Sequence, residues 1–323
     1  MRRARVVGAG LAGLSAAVRL ADAGWRVEIS DAAAQAGGRC RSYADPQLGL
    51  TIDNGNHLVL SGNHAVRDYL ALIGAGDRLA GPDEARFPFV DLRDGARWVL
   101  RPNAGRLPWW LLCPGRRVPG TRARDYRAFA CLLRAPADAT VADIVPAGGP
   151  LWERLVEPFL VSVLNTPAAE GSAALAGAVL RETLAAGGLA CRPRIAAPTL
   201  AAAFVDPATA FLGRHDATPR LGRRLRAIGF AEDRVTALAF VEGDEAVAED
   251  EAVILAVPPW VAAGLVPGLA VPQAHHAIVN AHYRIAPPPG APAMMGVIGG
   301  TAHWIFAFPD RVSVPVTPAD GLP

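Results

Sequence analysis

The first thirty residues combine a strand pattern, a helix pattern and a second strand pattern. Ala4 to Val7 is a short apolar run ending in β-branched residues, which predicts a buried strand. From Leu11 to Ala23 apolar positions recur every three or four residues, which predicts a helix with one buried face. Gly24 ends that helix, and Trp25 to Ser30 predicts another strand. This order of elements is typical of α/β proteins with a parallel sheet.

The middle of the chain changes from polar segments to helical ones. Residues 42 to 60 predict a loop, and Asn63 to Gly74 predicts a helix. Phe87 to Leu92 and Arg97 to Leu100 flank a turn and predict a hairpin. Residues 125 to 190 are rich in Ala and Leu with interspersed prolines, and they predict several helices.

Strand patterns return in the last third of the chain. Val235 to Val241 and Ala252 to Val257 predict strands that rejoin the first domain. The segments Met294 to Ile298, Trp304 to Phe308 and Val312 to Val316 alternate in the manner of a sheet.

Composition limits the class of protein. With 323 residues, 51% of them hydrophobic, the chain is long enough for a large core and about two domains. No run of eighteen uninterrupted apolar residues occurs, so we predict no spanning helix and expect a cytoplasmic protein, with contact at the inner membrane face left open. A net charge of +2 predicts no nucleic-acid partner. The oligomeric state stays open.

The reactive side chains narrow the chemistry. All 32 basic residues are arginine, which excludes a lysine Schiff base or a lysine general base. The four cysteines form no closely spaced pair and are expected to be reduced thiols. The pair His275-His276 has no carboxylate at a ligand spacing, so no metal site is predicted.

A glycine-rich turn separates the first strand from the first helix. In Gly8-Ala9-Gly10-Leu11-Ala12-Gly13, a β-carbon at Gly8 or Gly10 would obstruct a pyrophosphate, and Gly13 lets the helix lie close to the sheet. Asp31 follows 23 residues after Gly8, where a carboxylate accepts hydrogen bonds from a ribose diol and repels a 2′-phosphate. We therefore predict an adenosine nucleotide without that phosphate, as in NAD or FAD. An Ala/Gly-rich helix start without a ligand is the alternative.

The same residues fit a second pattern. Three early arginines, the mostly apolar stretch from Val6 to Val18 and then Ala21-Asp22-Ala23 are typical of a secretory signal peptide. Arg19 and Asp22 interrupt that pattern, and cleavage would remove the glycines. The nucleotide hypothesis is therefore favoured, and sequencing the N-terminus of the expressed protein decides between the two.

Gly37-Gly38-Arg39 distinguishes nicotinamide from flavin. With this element after the second strand, the chain resembles the amine oxidase and phytoene desaturase superfamily of FAD enzymes. The resemblance implies an α/β fold with a Rossmann-like FAD-binding domain of the GR2 type and an inserted α+β substrate domain. We assign residues 1–75 and 200–262 to the FAD-binding domain, and residues 76–199 and 263–323 to the substrate domain. A solvated surface arginine is the alternative for Arg39.

Four further segments resemble one subgroup, the hydroxysqualene dehydroxylases or squalene-associated FAD-dependent desaturases, over nearly the whole chain. These segments are Asp53-Asn54-Gly55-Asn56-His57-Leu58, Glu157-Pro158-Phe159, Leu164-Asn165-Thr166-Pro167 and Val257-Pro258-Pro259-Trp260. The resemblance implies a bacterial enzyme of squalene and hopanoid synthesis that reduces an allylic hydroxysqualene to squalene with reduced FAD. Such a reaction needs a lipophilic isoprenoid substrate, an apolar tunnel, one acid and exclusion of water.

The cofactor-binding residues implied are of two kinds, those of the glycine-rich elements and those of the subgroup segments. They are Gly8, Ala9, Gly10, Leu11, Ala12, Gly13, Asp31, Gly38, Arg39, Gly55, Asn56, His57, Val235 and Pro258. His57 is also the candidate acid, because its ordinary pKa suits proton transfer near neutral pH. A purely structural contact is the alternative for His57, and loop capping is the alternative for Asn54 and Asn165.

The end of the chain departs from the superfamily. Its members have a C-terminal Gly-Asp-x segment that meets the flavin, whereas this sequence stops at Asp320-Gly321-Leu322-Pro323. We therefore expect a C-terminally truncated family member. Another FAD-dependent desaturase or amine oxidase, and an inactive nucleotide-binding remnant, stay open as alternative functions.

One apolar cluster has two interpretations. Leu107-Pro108-Trp109-Trp110-Leu111-Leu112 lies between Arg106 and Arg116-Arg117. A core position is favoured for a tryptophan pair, and a surface that enters lipid headgroups is the alternative.

Overall fold

A computed structural model describes residues 2–317 and 319. The terminal segment Asp320 to Pro323, on which the expectation of truncation rests, lies outside the described residues. The chain forms two compact units. The first comprises Met1–Asn54, Ala65–Leu79 and Ala196–His275. The second comprises Gly55–His64, Ala80–Ile195 and His276–Pro323.

In the described part of the chain the strands and helices are numbered in order. The strands are β1 Arg3–Val7, β2 Arg26–Ser30, β3 Ser42–Asp45, β4 Leu50–Asp53, β5 Leu58–Leu60, β6 Leu79–Ala80, β7 Phe87–Asp91, β8 Arg97–Leu100, β9 Pro193–Ala196, β10 Leu225–Ala231, β11 Arg234–Phe240, β12 Gly243–Ala246, β13 Glu251–Leu255, β14 Val279–Tyr283, β15 Met294–Ile298, β16 Trp304–Ala307 and β17 Val312–Val316. The α-helices are α1 Leu11–Asp22, α2 His64–Leu72, α3 Arg127–Leu132, α4 Val141–Ile144, α5 Gly149–Leu151, α6 Glu157–Leu164, α7 Ala173–Glu182, α8 Asp206–Gly213 and α9 Pro259–Leu265.

The first unit is built on a parallel sheet with the strand order β13-β1-β2. Val6 of β1 pairs with Ile29 on one side and with Ile254 on the other. The apolar face of α1 packs on this sheet, and Leu14 and Val18 are fully buried. The α/β fold is thus confirmed, and the residues that also fit a signal peptide form β1 and α1.

A second sheet of the first unit is antiparallel, with the order β10-β11-β12. Leu238, Phe240 and Val247 form a buried cluster with Val7. The predicted strands at Val235 to Val241 and Ala252 to Val257 are confirmed as β11 and β13, each one residue earlier at its start.

The prediction of a loop over residues 42–60 is wrong, because this segment contains β3, β4 and β5. Its polar side chains are compatible with strands because they form hydrogen bonds within the protein. The buried Asp53 carboxylate accepts hydrogen bonds from the Ser42 hydroxyl at 2.5 Å and from the Leu200 N–H at 2.9 Å. The Ser42 oxygen in turn accepts one from the Ala201 N–H at 2.9 Å. Residues far apart in sequence therefore satisfy polar atoms that suggested a solvated loop.

The second unit contains a six-stranded sheet with the order β14-β17-β16-β15-β7-β8. Only the β15–β7 pair of this sheet is parallel among the described residues. The predicted β7–β8 hairpin and the three predicted C-terminal strands are confirmed. Helices α3 to α7 supply much of the remaining core, in which Phe89 stacks on Trp98 with ring centroids 5.4 Å apart.

The tryptophan cluster is divided between the core and the surface of the second unit. Trp110 is buried in the core of the second unit, whereas Leu107, Trp109 and Leu112 are exposed. Among the described residues, no helix combines the length and apolar character needed to cross a bilayer.

Candidate cofactor site

Two glycines of the first loop are required by the chain itself. Gly8 has a φ of +110°, and a β-carbon there would collide with the Ala256 carbonyl oxygen. A β-carbon at Gly13 would collide with the carbonyl of Gly8. These two positions bring the β1–α1 turn close to the end of β13, so the turn depends on glycine before any ligand is considered.

Gly10 is different, because the protein leaves room for a side chain. Its φ of −70° is ordinary, and a β-carbon would come no closer than 3.9 Å to another atom, the Gly38 Cα. Gly10 caps α1 without a side-chain hydrogen bond, and the first helical turn holds no acidic residue. The first N–H groups of α1 therefore face an open space that suits an anion such as a phosphate. The residues present fit the pyrophosphate of a dinucleotide.

Asp31 lies beside this loop at the end of β2. One carboxylate oxygen accepts a hydrogen bond from the Ala9 N–H at 2.6 Å, and the other accepts one from the Ala33 N–H at 2.7 Å. Each oxygen retains a second lone pair for a ribose hydroxyl. Asp31 thus holds the glycine loop in place, a role that the sequence analysis missed.

The Gly37-Gly38 pair lies against the same loop. The Gly37 N–H donates to the Ala9 carbonyl at 2.8 Å, and both glycines have positive φ angles, of 106° and 55°. Arg39 follows with an exposed side chain, whose guanidinium group has no ion-pair partner within residues 2–317 and 319. Its position leaves it available to a phosphate group.

Cys40, next to Arg39, is not a reactive thiol. Burial, together with the nearby negative charge of Asp53, raises its pKa to about 12. The thiol therefore stays protonated at neutral pH, when a nucleophilic cysteine would need to be a thiolate.

The connection after β13 completes the cluster in the first unit. The Ala256 N–H donates to the Val7 carbonyl at 2.8 Å, and the exposed Pro258 caps α9. Val235 packs against the apolar cluster that also contacts Val257. The structure thus brings the loop from Gly8 to Gly13 together with Asp31, Gly37-Gly38 and the residues before Pro258.

Gly55, Asn56 and His57 belong to the second unit. The Asn56 N–H donates to the Asn280 Oδ1 at 3.4 Å, but both polar atoms of the Asn56 side chain are buried without a hydrogen-bond partner among the described residues. Buried polar atoms almost always have partners, so an unpaired amide indicates a ligand. His57 is exposed, and its Nε2 lies 3.7 Å from the site of a β-carbon on Gly55.

Asn280 is a contact that the sequence analysis missed. It lies on β14, more than two hundred residues after Asn56, and its Nδ2 would be 3.2 Å from a β-carbon on Gly55. Its polar side chain in an otherwise strand-like segment was the available signal.

Asn54 and Asn165 both donate side-chain hydrogen bonds to carbonyls of residues distant in sequence. Asn54 Nδ2 donates to the Arg39 carbonyl at 3.5 Å. Asn165 ends α6 in the left-handed conformation, with a φ of 51°, and its Nδ2 donates to the His276 carbonyl at 3.2 Å. The Thr317 hydroxyl donates to Asn165 Oδ1.

A separate cavity of about 360 Å³ lies within the second unit. Arg93, Glu153, Glu157 and His303 form its polar wall. Arg93 bonds the Asp91 carboxylate, which holds the pKa of Asp91 well below its usual range, and it bonds Glu153 at 2.9 Å. Burial lowers the pKa of His303, whose Nδ1 is buried and has no hydrogen-bond partner in the part of the chain that the structure describes. Glu157-Pro158 and Pro167, from two of the segments that resemble the subgroup, also line this cavity.

Comparisons with known proteins match nearly the whole chain. A family model described as flavin containing amine oxidoreductase matches residues 11–286. The chain is 53% identical to hydroxysqualene dehydroxylase of Rhodopseudomonas palustris over 319 residues, which are 98% of this chain and 76% of that protein. It is 49% identical to hydroxysqualene dehydroxylase of Zymomonas mobilis over 98% of this chain and 77% of that one. An oxidoreductase of Methanosarcina mazei shares the fold, with a TM-score of 0.71 at 13% identity, over 99% of this chain and 79% of that one.

Proposed function

Because the chain belongs to the flavin-containing amine oxidoreductase family, we propose that it is an FAD-dependent enzyme that reduces hydroxysqualene to squalene. One observation carries the proposal. The 53% identity to a hydroxysqualene dehydroxylase extends over 98% of the chain, including its substrate-domain segments. The enzyme would serve squalene and hopanoid synthesis in a bacterium, with a lipophilic isoprenoid as substrate.

The cluster in the first unit would hold the cofactor. The N–H groups at the start of α1 would bind the pyrophosphate in the space that Gly10 leaves open. Asp31 would accept hydrogen bonds from the adenosine ribose while it holds the Ala9 N–H. Arg39 would neutralise phosphate charge. Gly38 would let the chain pass close to Gly10, since a β-carbon at Gly38 would lie 3.1 Å from the Gly10 Cα.

The reaction is balanced by one proton and one hydride. Protonation of the allylic hydroxyl lets the C–O bond break, so that water leaves with the bonding electrons and a delocalised cation forms. The new C–H bond needs a hydride, which FAD in its reduced form would supply when bound. The protein must therefore donate a proton at the hydroxyl oxygen and keep water from the cation.

His57 would donate that proton or position the group that does. It is exposed and lies in the segment that contains Asn56, whose buried side-chain amide has no hydrogen-bond partner among the described residues. A structural role, in which His57 only fixes the loop next to Gly55, is the alternative.

Peripheral contact with a membrane belongs to the same proposal, because a long hydrocarbon substrate partitions into lipid. The substrate must therefore pass from the bilayer into the enzyme before it can be reduced.

An anaerobic assay tests the function. Protein reduced with dithionite is mixed with hydroxysqualene. Protein that carries oxidised FAD is mixed with phytoene or an aliphatic amine, because those two conversions are oxidations. Products are separated by mass. Squalene from hydroxysqualene alone is expected. Conversion of phytoene or an amine instead would assign the chain to another branch of the family, and a colourless protein that cannot take up FAD would identify an inactive remnant.

A further inference from the structure

One segment of the second unit is far more basic than the rest of the chain. Between Arg97 and Arg134 the sequence holds nine arginines and a single acid, Asp125. The whole chain has 32 basic and 30 acidic residues, so the remainder is net acidic. Such a local excess of one sign marks a surface for an anionic partner.

The same segment exposes large apolar side chains. Leu107 is 78% exposed, Leu112 is 74% exposed and Trp109 is 45% exposed. We call residues 105–117 the basic loop. Within it the Arg116 guanidinium lies 4.8 Å from the Trp109 ring centre, which keeps a cation beside the exposed indole.

Buried side chains and hydrogen bonds fix the conformation of the basic loop. The buried Trp110 packs edge-on against Tyr126 with ring centroids 5.4 Å apart. The buried Asn103 donates from Nδ2 to the Gly105 and Leu107 carbonyls at 3.0 Å each, and its Oδ1 accepts from the Trp110 N–H at 3.2 Å. Arg117 donates to the Leu111 carbonyl at 2.6 Å. These hydrogen bonds and the buried Trp110 fix the conformation of the loop, and in that conformation Leu107 and Leu112 are exposed.

We propose that the basic loop docks on an anionic lipid bilayer. Leu107, Trp109 and Leu112 would enter the boundary between headgroups and acyl chains, where a tryptophan ring is favoured. The exposed Arg106 of the loop would face lipid phosphates, together with the exposed Arg122 and Arg124, which follow the loop in the sequence. This docking proposal rests on the proposed function in one respect only: the lipophilic substrate would be the reason why the protein docks on a bilayer.

A bilayer fits these features better than a nucleic acid does. Phosphates of either partner attract arginine, but exposed leucines have no groove or base to contact and remain a cost in water. Only a lipid surface uses the apolar and the basic groups of the loop together.

Vesicle sedimentation tests the proposal with the full chain. The wild type is expected to bind vesicles of phosphatidylcholine containing about one third phosphatidylglycerol, and to bind pure phosphatidylcholine at least about tenfold more weakly. The double variant Leu107→Asp/Leu112→Asp is expected to lose at least about tenfold in binding to the anionic vesicles. Leu175→Asp is the matched control, since Leu175 is 59% exposed at the start of α7, outside the basic loop, and its substitution should leave binding unchanged.

Three results would overturn the proposal. They are equal binding by the double variant, absence of wild-type binding to either vesicle, and displacement of the protein from vesicles by duplex DNA that the double variant binds equally well. Flavin absorbance and turnover of detergent-dispersed substrate report the proposed function separately. A double variant that retains flavin absorbance and turnover but does not bind the vesicles would support the docking surface, because such a variant is still folded.

Discussion

The glycine loop before α1 and the segment from Gly55 to His57 are both predicted to meet the flavin, yet they differ in what makes them fit. In the loop, Gly8 and Gly13 are required by backbone contacts of the protein, and only Gly10 leaves space unused. In the segment, the Asn56 amide is buried with no partner. Two of the three glycines of the loop therefore have a structural reason, whereas the segment contains a buried amide that a ligand could pair with. Substitutions that separate folding from binding can test this difference.

The largest effect is expected from Gly8→Ala. The left-handed φ and the collision with the Ala256 carbonyl should destabilise the flavin-free protein by about 3 kcal/mol or more. Thermal unfolding of the flavin-free protein measures this. Gly24→Ala is the matched control, because Gly24 also has a positive φ, of 78°, but no atom lies within 4 Å of its β-carbon position, and it should cost only about 1 kcal/mol. Equal losses from the two variants would contradict the role of the Ala256 contact.

His57→Gln is expected to act on catalysis alone. If His57 is the acid, kcat should fall by about two orders of magnitude or more while FAD stays bound, because glutamine keeps hydrogen bonding but cannot donate the proton. Flavin absorbance and single-turnover rates measure the two quantities. An unchanged kcat would leave His57 with a structural role.

Gly10→Ala should separate binding from folding within the loop. The backbone accommodates alanine without strain, so stability should hold or rise by about 0.5 kcal/mol. FAD affinity should fall by about tenfold or more, because the methyl group occupies the space proposed for phosphate. Titration of flavin-free protein with FAD measures the affinity. Undiminished affinity would show that the pyrophosphate lies elsewhere.

Asn56→Leu should raise the stability of the flavin-free protein, whereas most substitutions of buried residues lower stability. Removing an unpaired buried amide should stabilise the flavin-free protein by about 1 kcal/mol. The same change should weaken FAD binding or turnover, since the bound ligand then loses its hydrogen bonds to the Asn56 amide. Denaturant unfolding with and without FAD distinguishes the two. A flavin-free variant that is clearly less stable than the wild type would mean that the amide has a structural partner.

The smallest effect concerns Cys40 behind the loop. Its pKa is raised to about 12 in the folded state, above the 9.0 of a free thiol, so folding favours the protonated form. The stability from this group is full below about pH 9 and is lost as pH rises towards 12. Iodoacetamide at pH 8 should therefore modify the exposed Cys131 well before Cys40. Equal rates by peptide mapping would contradict the burial of the Cys40 thiol.

Local patterns were sufficient for elements whose side chains meet near neighbours. The β1–α1–β2 unit and strands β15 to β17 follow from the spacing of apolar residues. The segment 42–60 was predicted wrongly because Asp53 is satisfied by Leu200, a residue nearly one hundred and fifty positions away. The same limit hid Asn280, which meets Asn56 only through tertiary structure. Spacing likewise placed Asp31 near the loop but did not reveal that it bonds Ala9.

The most direct test of the central claim is a single turnover of the flavin. Purified protein loaded with FAD should show an oxidised band near about 450 nm, which dithionite bleaches in the absence of oxygen. Addition of hydroxysqualene should restore the band and yield one squalene for each flavin reoxidised. A band that stays bleached with hydroxysqualene present, in protein that binds FAD, would contradict the assignment.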